Sequence, residues 1–373
     1  MSAVLKDRGR HFVKLVLLAL AWTAIALANA ASAATCGPAT SAGTAPPSWQ
    51  TYCWIDMSTY NNATVFGGGQ VFSITLSDGS VLSFTMSGTS SGGAMTPVVA
   101  PAWSGAAVGN TAFLGIPNKP ILYTTVGGTV NLTLSNIKVT PPNGVVSTGQ
   151  YKLVVADGES TNSSESLTFT TNGGAWAVDD QVPPISGAIY PTITGAGTAT
   201  FTETGVGGTV GAYIVGSLSP STVTVQLVAG GLQGIMLAVQ YSSVSINKVI
   251  SGSRANSADQ FTYGGTATSN GSTLASATST GAGGGPFGAA VVTMSSGVAI
   301  TINEAMAAGS VSNISQYTPK LNCTNGNAGS PTTLPSNQPV TSFNLSSTIY
   351  GDAIACTFTN TAKTATVSLQ KIT

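Results

Sequence analysis

Three polar side chains in this sequence fall on strand faces that are otherwise apolar. Alternate residues of a β-strand share a face. In Val244-Ser-Ile-Asn-Lys-Val-Ile250, Lys248 is in register with Val244, Ile246 and Ile250. In Val298-Ala-Ile-Thr-Ile-Asn-Glu304, Glu304 is in register with Val298, Ile300 and Ile302. In Asp352-Ala-Ile-Ala-Cys-Thr-Phe-Thr-Asn360, Asn360 shares a face with Ile354, Cys356 and Phe358. A buried ammonium or carboxylate without a partner is too costly to keep, so the amine, the carboxyl and the carboxamide are expected to meet. Loss of water would draw the Lys248 amine down and the Glu304 carboxyl up, both toward their neutral forms.

The elements that must position these groups are strands. Val, Ile and Thr runs separated by Gly, Asn and Pro are the composition of an all-β sandwich protein. Val71-Phe-Ser-Ile-Thr-Leu76 and Val81-Leu-Ser-Phe-Thr-Met86 alternate around Ser77-Asp-Gly-Ser80. Phe72, Ile74 and Leu76 should therefore face Leu82, Phe84 and Met86 across a hairpin. Further strands are expected at 130–134, 151–155, 167–171, 198–202, 213–215 and 223–228. The run Gly234-Ile-Met-Leu-Ala-Val239 is apolar on both faces and suits a central strand. The Gly/Pro-rich region around Trp103 and Phe113 reads as long loops. The low-complexity stretch 264–285 reads as a flexible hairpin loop or as weak strands. No helical period is expected past the N-terminus.

Residues 1–33 read as a cleaved signal peptide. Lys6, Arg8, Arg10 and Lys14 precede an apolar run from Leu15 to Leu27, and Ala28-Asn-Ala30 and Ala31-Ser-Ala33 offer small-residue cleavage sites. No lipobox precedes Cys36, and no later apolar run has the length of a membrane helix. The remaining domains are expected at 34–242 and 243–373. Cleavage would leave eight basic and eleven acidic residues, a net charge of −3, with Arg254 the last arginine. That balance argues against nucleic-acid binding. It also removes His11, the one histidine, which excludes Ser-His-Asp and Cys-His catalysis and imidazole-based zinc sites. No cofactor is expected.

Four cysteines in an oxidising compartment allow three disulfide pairings. The local one, Cys36–Cys53 and Cys323–Cys356, is favoured because each pair lies within one expected domain. Each bridge should stabilise its domain by roughly 3–4 kcal/mol. Metal binding by the thiols is the lesser alternative, since no C-x-x-C spacing occurs.

Two resemblances follow from the residues. Trp54-Ile-Asp56, Pro101-Ala-Trp-Ser-Gly-Ala106, Leu153-Val-Val-Ala-Asp-Gly-Glu-Ser-Thr-Asn162 and Leu167-Thr-Phe-Thr-Thr-Asn-Gly-Gly-Ala-Trp176 resemble the second non-repetitive region of CshA-type surface adhesins. This resemblance implies a lectin-like β-sandwich that binds a host or surface ligand, a glycan or an extracellular-matrix protein. Lys248, Asn256-Ser-Ala-Asp-Gln-Phe261, Thr301-Ile-Asn-Glu-Ala305 and Cys356-Thr-Phe-Thr-Asn-Thr361 are similar to SpaA-like prealbumin-fold modules of bacterial surface proteins and pilins. That second resemblance implies an immunoglobulin-like sandwich in which Lys248 and Asn360 join in an isopeptide bond promoted by the buried Glu304. A hydrogen-bonded trio, or a Lys248 that snorkels out at a strand edge, is the alternative. Such adhesins end in repeats and a sorting signal, whereas this sequence reads to Gln370-Lys-Ile-Thr373 without one, which leaves its attachment open.

The remaining candidates lie in the first domain. Lectin-like domains often bind Ca²⁺, and Asp157, Glu159 and Glu165 are oxygen ligands of the right type, although Asp157-Gly158 equally marks a polar turn. Trp54 and Trp176 are assigned to the core, and Trp103 to ligand contact. Asp179-Asp180 reads as a solvated turn before Pro183-Pro184, since neighbours on a strand point to opposite faces and make a poor acid/base pair. The expectation is a secreted bacterial surface adhesin with a cross-linked stalk module, able to assemble with other surface proteins. The rivals are a structural subunit of a fimbria or surface layer, and a carbohydrate-active enzyme using Asp and Glu.

Overall fold

The computed structural model describes residues 32–76, 79–140, 151–346, 348–364 and 370–371. The expected leader up to residue 31, part of the Ser77–Ser80 turn and residues 372–373 lie outside them. The fold is all-β, built as paired sheets. In order across the first sheet lie Ser32–Ala34, Gln70–Thr75, Val81–Ser90, Gly128–Thr140, Thr222–Ala229, Ser166–Thr171, Thr200–Thr204 and Thr192–Thr194. Its edge strand, Ser32–Ala34, begins inside the expected leader and pairs parallel with Phe72–Ile74. The second sheet runs Ala177–Val182, Ala212–Leu218, Lys152–Asp157, Gly234–Gln240, Tyr52–Ile55 and Cys36–Gly37, and the antiparallel pair Met95–Val98 and Ile121–Thr124 joins it at Gly234–Gln240.

Alternation places the core. Phe72 pairs directly with Phe84 and Ile74 with Leu82, and the two phenyl rings stack at 5.1 Å. Gly234–Gln240 is buried along its whole length. Its Ile235, Leu237 and Val239 point into the main core, while Met236 and Ala238 point into a second apolar cluster with Tyr52, Trp54 and Phe113. Phe113 meets the rings of Tyr52 and Trp54 edge-on at 5.3 Å each. The region read as long loops therefore contributes strands at Met95–Val98, Ala112–Leu114 and Ile121–Thr124 and roofs a core of its own. One helix also escaped the sequence reading, Asn62–Gly67. Six residues are too few to show a period. The signal lay in its caps: Asn61 accepts the Thr64 N–H, and Gly68 ends the helix at φ 156°.

The third and fourth sheets run Phe287–Met294, Ser242–Ser251, Ala353–Ala362, Tyr317–Asn325 and Thr273–Thr278, Phe261–Ala267, Ile300–Met306, Ser342–Leu345. The low-complexity stretch supplies real strands, with Phe261–Ala267 and Thr273–Thr278 pairing antiparallel. Ser242–Ser251 and Ala353–Ala362 lie side by side in parallel, from Ser243 opposite Ala353 to Ser251 opposite Thr361.

Both local disulfides are present, Cys36–Cys53 and Cys323–Cys356. They close chain separations of 17 and 33 residues, which corresponds to about 3 and about 4 kcal/mol by loop entropy. Because Phe84 is buried and stacked on Phe72, Phe84→Ala should destabilise the N-terminal sandwich by about 3–5 kcal/mol. Denaturant unfolding followed by tryptophan fluorescence would show the shift, and an unchanged midpoint would contradict this packing.

Candidate functional site

Lys248 comes from the strand Ser242–Ser251, Asn360 from its parallel neighbour Ala353–Ala362, and Glu304 from Ile300–Met306 in the facing sheet. All three are buried. Lys248 Nζ lies 2.7 Å from Glu304 Oε2, and Asn360 Nδ2 donates to the same oxygen at 3.3 Å. The Lys248 ammonium stands 4.3 Å from the centre of the Phe261 ring. Burial pushes the Lys248 amine down to about 8, although the Glu304 carboxylate pulls it up. Burial likewise raises the Glu304 carboxyl against the opposing pull of Lys248 and Asn360. Glu304 Oε1 and Asn360 Oδ1 have no hydrogen-bond partner. The structure thus brings together an amine, an acid drawn toward neutrality and a carboxamide with a free carbonyl oxygen. On the other flank of the same strand, Cys356 sits directly opposite Cys323, to which it is bonded.

The calcium candidates Asp157, Glu159 and Glu165 are all buried. Asp157 ends its strand fully buried. Its Oδ1 accepts the Glu159 N–H at 2.9 Å, and its Oδ2 accepts the N–H and hydroxyl of Thr161 at 2.8 Å each. Glu165 accepts the N–H groups of Asn162 at 3.0 Å and Gly231 at 3.1 Å. The oxygens of Asp157 and Glu165 are taken by backbone N–H groups and the Thr161 hydroxyl, and among the described residues no three His, Cys, Asp or Glu side chains form a metal-holding group. Of the three, Asp157 and Glu165 thus cap backbone N–H groups, while Glu159 keeps one carboxyl oxygen without a partner.

Glu159 is 6% exposed, and its Oε2 has no partner. The Trp103 side chain bonds to this carboxyl and lowers its pKa. The Trp103 ring lies against Gly105 and is 40% exposed, whereas Trp54 and Trp176 are buried. Burial, reinforced by neighbouring carboxylates, lifts Asp157 to about 6 and Glu159 to about 8.

Two features escaped the sequence reading. Glu203 is fully buried, neither of its oxygens has a partner, and burial drives its pKa well up. Its signal was the same alternation, since Glu203 shares a face with Phe201 in Thr-Phe-Thr-Glu-Thr204. The second is Asp179-Asp180, which stands in the strand Ala177–Val182 and not in a solvated turn. A register shift between Val178 and Asp180 breaks the rule that neighbours point apart, and Asp179 forms an ion pair with Lys152.

Paired β-sandwiches, each stapled by a disulfide, have the build of an extracellular surface protein. Residues 50–240 match the family described as surface adhesin CshA non-repetitive domain 2, and the chain belongs to that family. Residues 243–362 match the family described as prealbumin-like fold domain. Membership of a surface-adhesin family places the protein at the cell surface or outside the cell, and no helix among the described residues is long and apolar enough to cross a membrane. No curated protein matches the chain. Among solved structures, the chain is similar to the major pilin of Streptococcus pyogenes at 13% identity and a TM-score of 0.22, covering 58% of this chain and 99% of that one. The T6 backbone pilin of Streptococcus pyogenes serotype M6 aligns at 12% identity and a TM-score of 0.16, covering 76% and 72%. Likeness of this size fixes neither fold nor function.

The acidic cluster dictates a pH response. Asp157 and Glu159 hold protons in the folded state at pH values where the unfolded chain, with ordinary values of 3.8 and 4.5, has released them. Their stabilisation is fully present below those ordinary values and is lost as pH rises through about 6 and then about 8. The calorimetric Tm of the N-terminal sandwich should fall between pH 4.5 and pH 8.5, and Glu159→Gln should flatten the upper part of that fall. A Tm that climbs over this range would contradict the assignment.

Proposed function

We propose that this protein is a secreted surface adhesin whose N-terminal sandwich binds a glycan or matrix-protein ligand and whose C-terminal sandwich is a covalently cross-linked stalk. The reading is of a binder and not of an enzyme acting on a substrate. The observation that carries it is the convergence of Lys248, Glu304 and Asn360 between the first and last strands of the C-terminal sandwich. Those strands are parallel neighbours, so the chain enters the module at one end and leaves it at the other. Tension along the chain then loads the two strands in shear, which suits a stalk.

The cross-link forms without an added reagent. The Lys248 amine attacks Asn360 Cγ, and a C–N bond forms. Glu304, as the neutral acid, first protonates the free carboxamide oxygen, then relays the amine's proton to the departing nitrogen, and takes the oxygen's proton back as the new amide carbonyl forms. The old C–N bond breaks and ammonia leaves. Support comes from the depressed amine, the raised acid and the shared Oε2. Partners and secretion rest on the surface-adhesin family and on the leader expected at residues 1–33. Ligand contact is assigned to Trp103, the exposed tryptophan held against Glu159.

Two measurements test this. Peptide mapping of the purified protein should find Lys248 and Asn360 joined with the loss of one ammonia, and Glu304→Ala should abolish the joined species. Recovery of both residues unjoined from the native chain would end the stalk chemistry. On a glycan and matrix-protein array, the bound ligand should be lost or weakened at least about tenfold by Trp103→Ala, as for an aromatic anchor worth about 2 kcal/mol. Equal binding by this variant would move the ligand site elsewhere.

A further inference from the structure

Lys152 opens the strand Lys152–Asp157, and Asp179 lies in Ala177–Val182, with Ala212–Leu218 running between and pairing with both. Strands once removed stand roughly 9–10 Å apart, and the residue between them normally separates their side chains. Here that residue is Gly216. A Cβ at this position would come within 2.3 Å of Lys152 Cε and 2.4 Å of Asp179 Oδ2. The absent side chain is the space in which the two groups meet, Lys152 Nζ against Asp179 Oδ1. Their side chains are only 13% and 9% exposed.

The register shift adds a second acid on the same side. Asp180 is paired with Ile214, which shares the Gly216 face, and the Asp179 carboxylate reaches that face too. Asp179 Oδ2 and Asp180 Oδ2 are both buried without a hydrogen-bond partner. Val154, on the same strand face as Lys152, and Ile214, paired with Asp180, belong to an apolar cluster with Trp54, and the buried Tyr52 hydroxyl feels both carboxylates. Burial raises the Asp179 carboxyl against the pull of Lys152, and it raises Asp180 to about 6. A proton from the ammonium therefore has a place to go within the site.

We propose that Lys152 and Asp179 condense in the folded protein to an intramolecular amide, a self-made cross-link in the N-terminal sandwich. Lys152 Nζ passes a proton to the acidic pair and attacks Asp179 Cγ. The C–N bond forms, one C–O bond of the carboxyl breaks, and the oxygen leaves as water, taking the proton carried by Asp180 and the second proton shed by the attacking nitrogen. Amine and acid become amide and water, so no oxidant, reductant or co-substrate is consumed. The product clamps Lys152–Asp157 to Ala177–Val182 across the intervening strand. It is independent of the Lys248–Asn360 link, which releases ammonia and lies in the other sandwich.

The test is digestion of the purified, denatured and reduced protein with a glutamyl endopeptidase. Cleavage after Glu159, Glu165 and Glu203 separates Lys152 from Asp179 and leaves Lys248 in a different fragment, so the two cross-links are read apart. The expected result is that the fragment ending at Glu159 stays joined to fragment 166–203, with one water missing from the summed mass. Lys152→Arg, which keeps the ion pair, should release the two fragments, and Asp180→Asn should leave most of the protein unjoined. Separate fragments of full mass from the native protein would overturn the proposal, and complete joining in Asp180→Asn would overturn the role given to Asp180.

Discussion

Removing an ionised group from water costs several kcal/mol unless the interior supplies an answer, and this constraint shapes both sandwiches. Only 6% of the chain is charged, yet Asp157, Glu159, Glu165, Glu203, Lys248, Asp259, Glu304 and Asp352 are all buried. The interior answers them in graded ways. Asp259 receives the N–H groups of Asn256, Val311 and Ser312 and the Tyr317 hydroxyl, and its carboxyl falls to about 2 because those donors outweigh its desolvation. Asp157 has three donors, but they do not overcome burial beside other carboxylates. Lys248 and Glu304 answer one another. Glu203 has no partner at all among the described residues and is driven toward the neutral acid.

The same constraint explains why the closing strand can act as a clasp. Ala353–Ala362 lies inside its sheet, with a parallel ladder to Ser242–Ser251 on one flank and an antiparallel ladder to Tyr317–Asn325 on the other. Cys356 is fixed to the second flank by its disulfide. Asn360, four residues on and on the same face, is held by Glu304 from the opposite sheet. Main-chain hydrogen bonds alone would let such a strand peel from its free end. A sulfur bridge near one end and a buried polar trio near the other remove that route.

Much of this was legible because a strand has a period of two. Lys248, Glu304 and Asn360 could be assigned inward from their apolar neighbours without any knowledge of which strands pair. The hairpin Phe72/Phe84 and the doubly buried strand at 234–240 were readable for the same reason. The losses have equally specific causes. One extra residue at Asp179 shifts the period and puts two adjacent acids on one side, which no count along the sequence reveals. Clustering of Asp157, Glu159 and Glu165 in sequence did not say where their oxygens point. N–H groups of their own turn and of the adjacent Gly231 occupied Asp157 and Glu165. The region around Phe113 reads as long loops in the sequence because its strands are short and its buried residues are irregularly spaced.

That last region shows how the second apolar cluster is covered. The strand 234–240 has apolar residues on both faces, so its outer face needs a cover, and the segment carrying Trp103 provides it. Asn110 donates to the carbonyls of Trp103 at 3.2 Å and Ala106 at 2.8 Å, and Thr111 donates to that of Pro183 at 2.8 Å. Phe113 is locked between Tyr52 and Trp54. A loop that must roof a core cannot be floppy, and its exposed indole is presented with its conformation already set. The demand for a second apolar cover and the exposure of the Trp103 ring are thus met by one segment.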